Sequence, residues 1–306
     1  MKTRCFYIRL LLTFLLFSCV ESPFEPNSNF DNDIILFYTR EINSFFSSIY
    51  TIDLNGNNLN FITKGNVSYP IWYHGKNKII YLDHGNLDLV FKDFLISSDQ
   101  DCRIHINYNM IFPRFSRSLN CIVFSHRQGG ISQIAEMDLA TLLVRNIGSS
   151  PNHRINPVCS AVDNWIYYSE KKDSSYDIYR IKEDGSDLEL MLSDPIYNFN
   201  TFSVSADGSL LVSPKYFVSM DQTEYDSYLV VFDIASKSVL YEIPFVGNGV
   251  ALYSSLTYNN EYILFVNGIP NNFAIPRNIF RMRIDGKSLK QITFFENQLA
   301  VRPLAW

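Results

Sequence analysis

The residues best placed by type and spacing to do chemistry are five aspartates, Asp53, Asp138, Asp184, Asp233 and Asp285, each in a turn that follows an alternating apolar run. Such a carboxylate could hold a calcium ion, but an Asp in a turn more simply accepts hydrogen bonds from its own backbone. Covalent or acid–base catalysis needs a nucleophile, a base and an orienting group held together. The five histidines, His74, His84, His105, His126 and His153, are scattered over separate runs and turns, neither His74 nor His84 has an evident acid partner in sequence, and no Gly-x-Ser-x-Gly elbow is present. Cys102, Cys121 and Cys159 lack paired spacing for a metal. The expectation is therefore no catalytic residue, no metal and no cofactor.

A binding surface is the better prospect. Two segments read as long loops: residues 213–226, with Tyr216, Phe217 and Met220, and residues 267–277, with Phe273. Apolar side chains on segments that should meet water are the usual anchors of an interface, although they could instead pack on one another. His126, Arg127, Lys171 and Lys172 fall in comparable segments and could form a cationic rim for an acidic partner or a sugar; a solvated surface is the plainer reading.

The elements that must position these residues come from a repeat. Tyr69-Pro70-Ile71-Trp72, Phe112-Pro113-Arg114-Phe115-Ser116, Asn156-Pro157-Val158-Cys159-Ser160, Asn200-Thr201-Phe202-Ser203, Ser254-Ser255-Leu256-Thr257 and Arg302-Pro303-Leu304-Ala305-Trp306 recur at intervals of about 43 to 44 residues, then roughly 50. Each repeat reads as four strands, A to D. The proline pattern is strand A, since Pro lacks an N–H and is confined to edges and strand starts. Apolar runs such as 78–81, 121–124 and 165–168 are strand B, and Tyr50/Ile52, Tyr179/Ile181 and Phe280/Met282/Ile284 fall on one face of strand C by the period of two. The chain starts with strands B, C and D at 34–40, 48–53 and 60–63 and ends with a lone strand A. These read as an all-β, six-bladed propeller of four-stranded antiparallel blades, closed by pairing the N-terminal strands with the C-terminal one, over residues 34–306. In that architecture the B–C and D–A loops share one face, so both long loops would rise side by side. Cys159 stands where Trp72 and Phe115 stand, and is expected to pack as a small apolar side chain.

Composition agrees. Of 306 residues, 47% are hydrophobic and 15% aromatic, a globular balance, and the formal charge of −5 without a Lys/Arg run excludes a nucleic-acid binder. Lys2, Arg4 and Arg9 precede the apolar run 10–17, too short to span a bilayer, which marks residues 1–18 as a signal peptide. Leu16-Phe17-Ser18-Cys19 is similar to a bacterial lipobox, which implies cleavage before Cys19 and lipid on its sulfur; an ordinary secretory signal with an incidental Cys is the alternative. Residues 19–33, polar and proline-bearing, read as a tether.

The repeat itself resembles that of the six-bladed TolB propeller, carried by Pro113-Arg114-Phe115-Ser116, by Ile49-Tyr50-Thr51-Ile52-Asp53-Leu54-Asn55-Gly56 with Phe61-Ile62-Thr63, and by residues 178–185. The likeness covers nearly all of residues 34–306. Ser203 and Cys159 replace the aromatic, one repeat lacks the proline, and the chain has no room for the additional N-terminal domain of TolB, so a role identical to TolB is not expected. The lipobox-like Cys19, the closed repeat count and the absence of a catalytic constellation point to a monomeric lipoprotein of the cell envelope of a Gram-negative-type bacterium, held on a membrane and binding or scaffolding a protein or glycan partner; a structural protein of the lipoprotein layer with no specific ligand is a further alternative. The rival is an envelope enzyme, a glycan lyase or hydrolase with its site at the channel mouth. An exposed patch of Tyr216, Phe217 and Phe273 would favour the binding module; acidic and histidine side chains converging at the mouth would favour the enzyme.

Overall fold

The computed structural model describes residues 34–42, 44–73, 78–93, 101–106, 109–116, 120–173, 175–219, 224–245, 249–269 and 275–305. The expected signal peptide and tether, residues 1–33 with Cys19, and also His74, Met220, Phe273 and Trp306, lie outside the described residues.

Strands β1 (Ile34–Glu41), β2 (Ser47–Asp53) and β3 (Asn60–Gly65) come first. The second blade is β4 (Val67–Trp72), β5 (Lys78–Asp83), β6 (Asp88–Asp93) and β7 (Cys102–His105), and the third is β8 (Met110–Ser116), β9 (Cys121–Gln128), β10 (Ile131–Asp138) and β11 (Val144–Asn146). The fourth is β12 (Arg154–Cys159), β13 (Trp165–Lys172), β14 (Ser175–Lys182) and β15 (Glu189–Leu192). The fifth is β16 (Ser203–Val204), β17 (Leu210–Val218), β18 (Tyr225–Asp233) and β19 (Ser238–Pro244), and the sixth is β20 (Val250–Leu256), β21 (Tyr262–Gly268), β22 (Ile279–Arg283) and β23 (Lys290–Gln291). The last strand, β24 (Gln298–Ala305), returns to β1, with Ile35 opposite Ala305 and Glu41 opposite Gln298, so the first sheet has the order β24-β1-β2-β3. Six four-stranded antiparallel sheets result, and the ring closes as the repeat count requires.

Strand B has an apolar run because it is buried on both faces, and the period of two sends alternate residues to different neighbours. Ile122 and Phe124 of β9 join the core shared with the second blade, whereas Cys121 and Val123 join that shared with the fourth. Ile35 and Phe37 face the sixth blade while Leu36 faces the second. Ile263 and Phe265 face the fifth blade while Leu264 and Val266 face the first. The hydrophobic core is thus divided into slabs between successive blades. At about 1.5–3 kcal/mol for each buried Ile, Leu, Val or Phe side chain, these slabs dominate the stabilisation. The outermost strand of a blade gains least; β19 is almost wholly exposed.

Prolines sit where the missing N–H does least harm. Pro70, Pro113, Pro157 and Pro303 lie on β4, β8, β12 and β24, each an edge strand. Pro214 is the instructive exception, lying within the inner strand β17 opposite Leu229. Strand β16 has only two residues, paired to Leu211 and Val212, so it makes no ladder contact with Pro214. The reading of 213–226 as a loop is corrected accordingly: 213–218 extend β17 and 225–226 begin β18, leaving a short connection.

The recurrent aspartates bind their own turns. Asp53 Oδ1 accepts from the N–H groups of Asn55 and Asn57 at 2.8 and 2.9 Å. Asp138, Asp184, Asp233 and Asp285 accept from Thr141, Ser186, Ser236 and Lys287 N–H at 2.6, 2.9, 2.7 and 3.1 Å. Hydroxyl donors from Thr141, Ser186 and Ser236, and the Lys287 N–H, hold these four carboxyls below their ordinary range. The most strongly shifted turn acid is Asp207, between β16 and β17. Partial burial would raise its pKa, but donors from Ser205, Ser209 and Asn260 together bring it down to about 2. The Asn260 amide reaches it at 3.0 Å from the turn of the sixth blade, so this carboxylate ties two blades together.

Because the folded value lies below the ordinary value of roughly 3.9, this stabilisation is complete above about pH 4 and lost as pH falls toward 2. Asp207→Asn should therefore lower the unfolding midpoint at pH 7 and flatten its dependence between pH 2 and 5. Solvent screening limits the loss at neutral pH to about 0.5–1 kcal/mol. Thermal melts of both proteins across that range check it; parallel curves would contradict the assignment.

Candidate functional site

Within strand A of five blades the chain takes an irregular step, which creates the axial site. Tyr69, Phe112, Asn156, Tyr253 and Arg302 have φ between 51° and 56°, the left-handed region that non-glycine residues seldom enter. Each coincides with a register shift against strand B, at Ser68/Ile71, Ile111/Arg114, Ile155/Val158, Leu252/Ser255 and Leu36/Tyr38. The bulge places one residue out of the ladder and turns its side chain to the axis. In four of the five, proline follows directly, which adds stiffness to the kink.

These five side chains meet in the middle of the ring. The Arg302 guanidinium lies 3.9 Å from the Phe112 ring centroid, 5.3 Å from that of Tyr69 and 5.5 Å from that of Tyr253. Tyr69 and Phe112 pack edge to face at 5.3 Å. Arg302 Nη2 donates to Asn156 Oδ1, and Asn156 Nδ2 donates to the Asn200 carbonyl at 2.5 Å and to Asn200 Oδ1 at 3.0 Å. Asn200, from the one blade that lacks the left-handed residue, so completes the ring through its amide. The cation is 6% exposed and is held by ring faces and an amide, with no carboxylate ion pair among the described residues. Arg277, 3% exposed, stands near the same axis; burial pushes its pKa down while Tyr253 opposes the shift. Its Nη2 donates to the Ile269 carbonyl at 2.8 Å, and a Cβ at Gly268 would lie 2.7 Å from its Nε, so only glycine fits there.

The sequence-predicted rim residues within the described structure lie on the third, fourth and fifth blades. Tyr216 is 9% exposed and packs against Val250 and Leu252, its backbone bonded both ways to Asn198 at 2.8 and 3.2 Å. Its expected exposure is overturned, because β17 continues past Pro214 into the core. Phe217 is half-buried on the same strand. His126 bonds to Asn146 Oδ1 at 2.8 Å and Arg127 to the Gly130 carbonyl at 3.2 Å, both within their own blade. Lys171 and Lys172 lie on β13 itself, one blade further on. The Arg127 and Lys171 segments meet through His153, which accepts from Ser132 N–H, opposite Arg127, at 3.1 Å and from Lys171 N–H at 2.8 Å.

Other residues on that face form a group that sequence reasoning missed. The β1–β2 connection carries Phe45 and Phe46, 83% and 56% exposed; Phe294, 76% exposed, lies between β23 and β24, and Ile275, 43% exposed, between β21 and β22. Backbone bonds stitch these three connections at the closing seam: Ile42 N–H to Asn297 O at 3.2 Å, Arg277 N–H to Gln298 O at 3.1 Å and Ala300 N–H to Arg277 O at 3.0 Å. Phe295 packs inward, 6.1 Å from Phe37, and its N–H donates to Asn278 Oδ1 at 2.7 Å, which turns Phe294 outward. The available signal was a Phe pair in a short polar turn.

One hydroxyl–imidazole pair also forms on that face, Ser68 Oγ to His84 Nε2 at 2.5 Å. Burial lowers the pKa of His84, which favours the neutral imidazole. The carboxylate of adjacent Asp83 is engaged by Gly85, Asn86 and Arg103, so it does not orient the ring. Among the described residues, no group of three His, Cys, Asp or Glu side chains could hold a metal ion.

Fold and axial geometry define a six-bladed TolB-like β-propeller with a plugged axis. No protein-family model matches the sequence, and no curated protein sequence matches it. Solved structures do. TolB from Acinetobacter baumannii superposes with a TM-score of 0.68 at 15% identity, over 89% of this chain, which spans 66% of the length of that protein. The protein assigned as TolB from Agrobacterium tumefaciens gives 0.63 at 12% identity, over 90% of this chain and 99% of that one. An oligogalacturonate lyase in complex with manganese gives 0.57 at 11% identity, over 82% and 73%. At such identities the likeness speaks for the fold alone.

Arg302→Ala should cost about 2–4 kcal/mol in urea unfolding, because it leaves a void among three aromatic rings. Arg302→Met, which fills the space without a buried charge, should stay within about 1 kcal/mol of the native chain. Equal losses in the two variants would show that the charge itself holds the ring together.

Proposed function

We propose that the chain is a cell-envelope lipoprotein, anchored through Cys19, whose propeller is a non-catalytic module that docks a protein partner. The observation that carries this reading is the seam on the B–C and D–A face, where Phe45, Phe46, Ile275 and Phe294 stand exposed on connections bonded to one another. Exposed aromatics on a rigid support lose little side-chain entropy on binding, and aromatic anchors carry much of the energy of an interface.

The anchor and the seam are compatible in space. Ile34, where β1 begins, lies opposite Asp53 at the end of the sheet that carries the A–B and C–D turns, away from Phe45. A tether of residues 19–33 extended to about 50 Å would reach the membrane from that end and leave the seam facing away from it.

In crosslinking and pull-down from native envelopes, Phe45→Ser/Phe46→Ser/Phe294→Ser should lose its principal protein partner while keeping its thermal stability within a few degrees of the native chain. An unchanged set of partners would remove the seam from consideration. Separately, Cys19→Ala should move the protein from the membrane to the soluble fraction, and continued sedimentation with membranes would contradict the anchor.

A further inference from the structure

At the other end of the axis, beneath the Arg302 plug, lies a cavity of about 230 Å³ whose walls include Trp72, Phe115, Leu256, Tyr258, Leu304 and Arg114. Five of these six side chains are apolar or aromatic, and Arg114 is the one charged residue that lines it. Arg114 stands between the plug and the cavity, since it also lines the narrow space directly under Arg302. The groups that act on it electrostatically are Arg302, a second cation, and the thiol of Cys159; no carboxylate among the described residues does so. Burial and Arg302 push its pKa down to about 9, so it remains a cation at neutral pH, and burial pushes the Cys159 thiol up to about 12, so the thiol is neutral. Arg302 above it has an Nε with no hydrogen-bond partner. Arg114 therefore lines the inner end of a largely apolar cavity, with a second cation, Arg302, behind it and no carboxylate partner for either among the described residues.

That arrangement selects a ligand class. A guanidinium presents parallel N–H donors that match a carboxylate, and a charge-assisted pair is strongest where water is scarce. An apolar cavity of about 150 Å³ suffices for benzene, so this one has room for a ring and a carboxylate together. A phosphate would need more donors than Arg114 supplies. Trp72 Nε1–H is already given to the Leu304 carbonyl at 3.2 Å, which fixes the indole as a wall. We propose that this cavity binds a small free carboxylic acid with an aromatic or branched apolar body. The carboxylate lies on Arg114, and the body lies against Trp72, Phe115, Leu256 and Tyr258. The site is independent of the seam on the opposite face.

Benzoate and its uncharged counterpart benzamide test this in ligand-observed NMR titrations of the full chain. Benzoate should saturate with Kd in the millimolar range or tighter. Benzamide should bind the native chain about 10- to 100-fold more weakly, and Arg114→Met should weaken benzoate by a similar factor. Ala206→Phe, which narrows the cavity while leaving Arg114 in place, should also reduce benzoate binding. Because the benzamide comparison and Ala206→Phe do not alter Arg114, they decide the matter even if Arg114→Met unfolds. The seam triple variant should bind benzoate as the native chain does, whatever happens to its partners. Failure of benzoate to saturate, equal binding of benzamide, or undiminished binding by a folded Arg114→Met would overturn the proposal.

Discussion

The pairing of β24 with β1 is the constraint on which the rest of the molecule depends. It contributes the inner strand of the first blade, covers Ile35 and Phe37 with Ala300, and delivers Arg302 to the axis. Backbone ladder bonds and side-chain burial come from the same strand, so closure of the ring and filling of its centre are coupled. The exposed seam is a by-product of the same event, since the connections around it are tied by bonds from Asn297, Gln298 and Ala300.

A ring built from wedges needs its inner strands to come close without colliding. The bulges resolve this by spending backbone conformation, one left-handed residue in each of five blades at about 1–2 kcal/mol each, to turn a side chain inward and fill the axis. Aromatic faces around Arg302 supply part of the return through cation–π attraction, about 2 kcal/mol where the cation is desolvated. The plug separates the two faces of the propeller. On one side lies the rim with its exposed aromatics, on the other a largely apolar cavity lined by Arg114, which has no carboxylate partner among the described residues.

Much of the architecture was legible. The proline column marked the inner edge because only an edge tolerates a missing N–H, and the recurrent Asp marked the turns because its side chain competes for backbone donors. Pro214 shows where that logic misled. It is a proline in an inner strand, harmless because β16 is too short to reach it, and it made an extended strand look like a loop. Tyr216 was consequently read as exposed when it is a core residue. The column just before the prolines, Tyr69, Phe112, Asn156 and Arg302, was visible in the repeat, yet its chemical variety hid the fact that its members touch.

The sequence by itself determined the fold class, the number of blades, the closing strand and the turns. Each of these follows from local chemistry, namely period-two alternation, the absent proton on proline and hydrogen bonding within a few residues. Tertiary structure alone decided that residues separated by one blade length or more meet on the axis, that Phe45, Ile275 and Phe294 stand on connections bonded at one seam, and that Arg114 lines a cavity with no carboxylate beside it among the described residues. These depend on how far each strand runs and how the sheets curve around one centre. No local window of sequence contains that information, because it resides in contacts between blades.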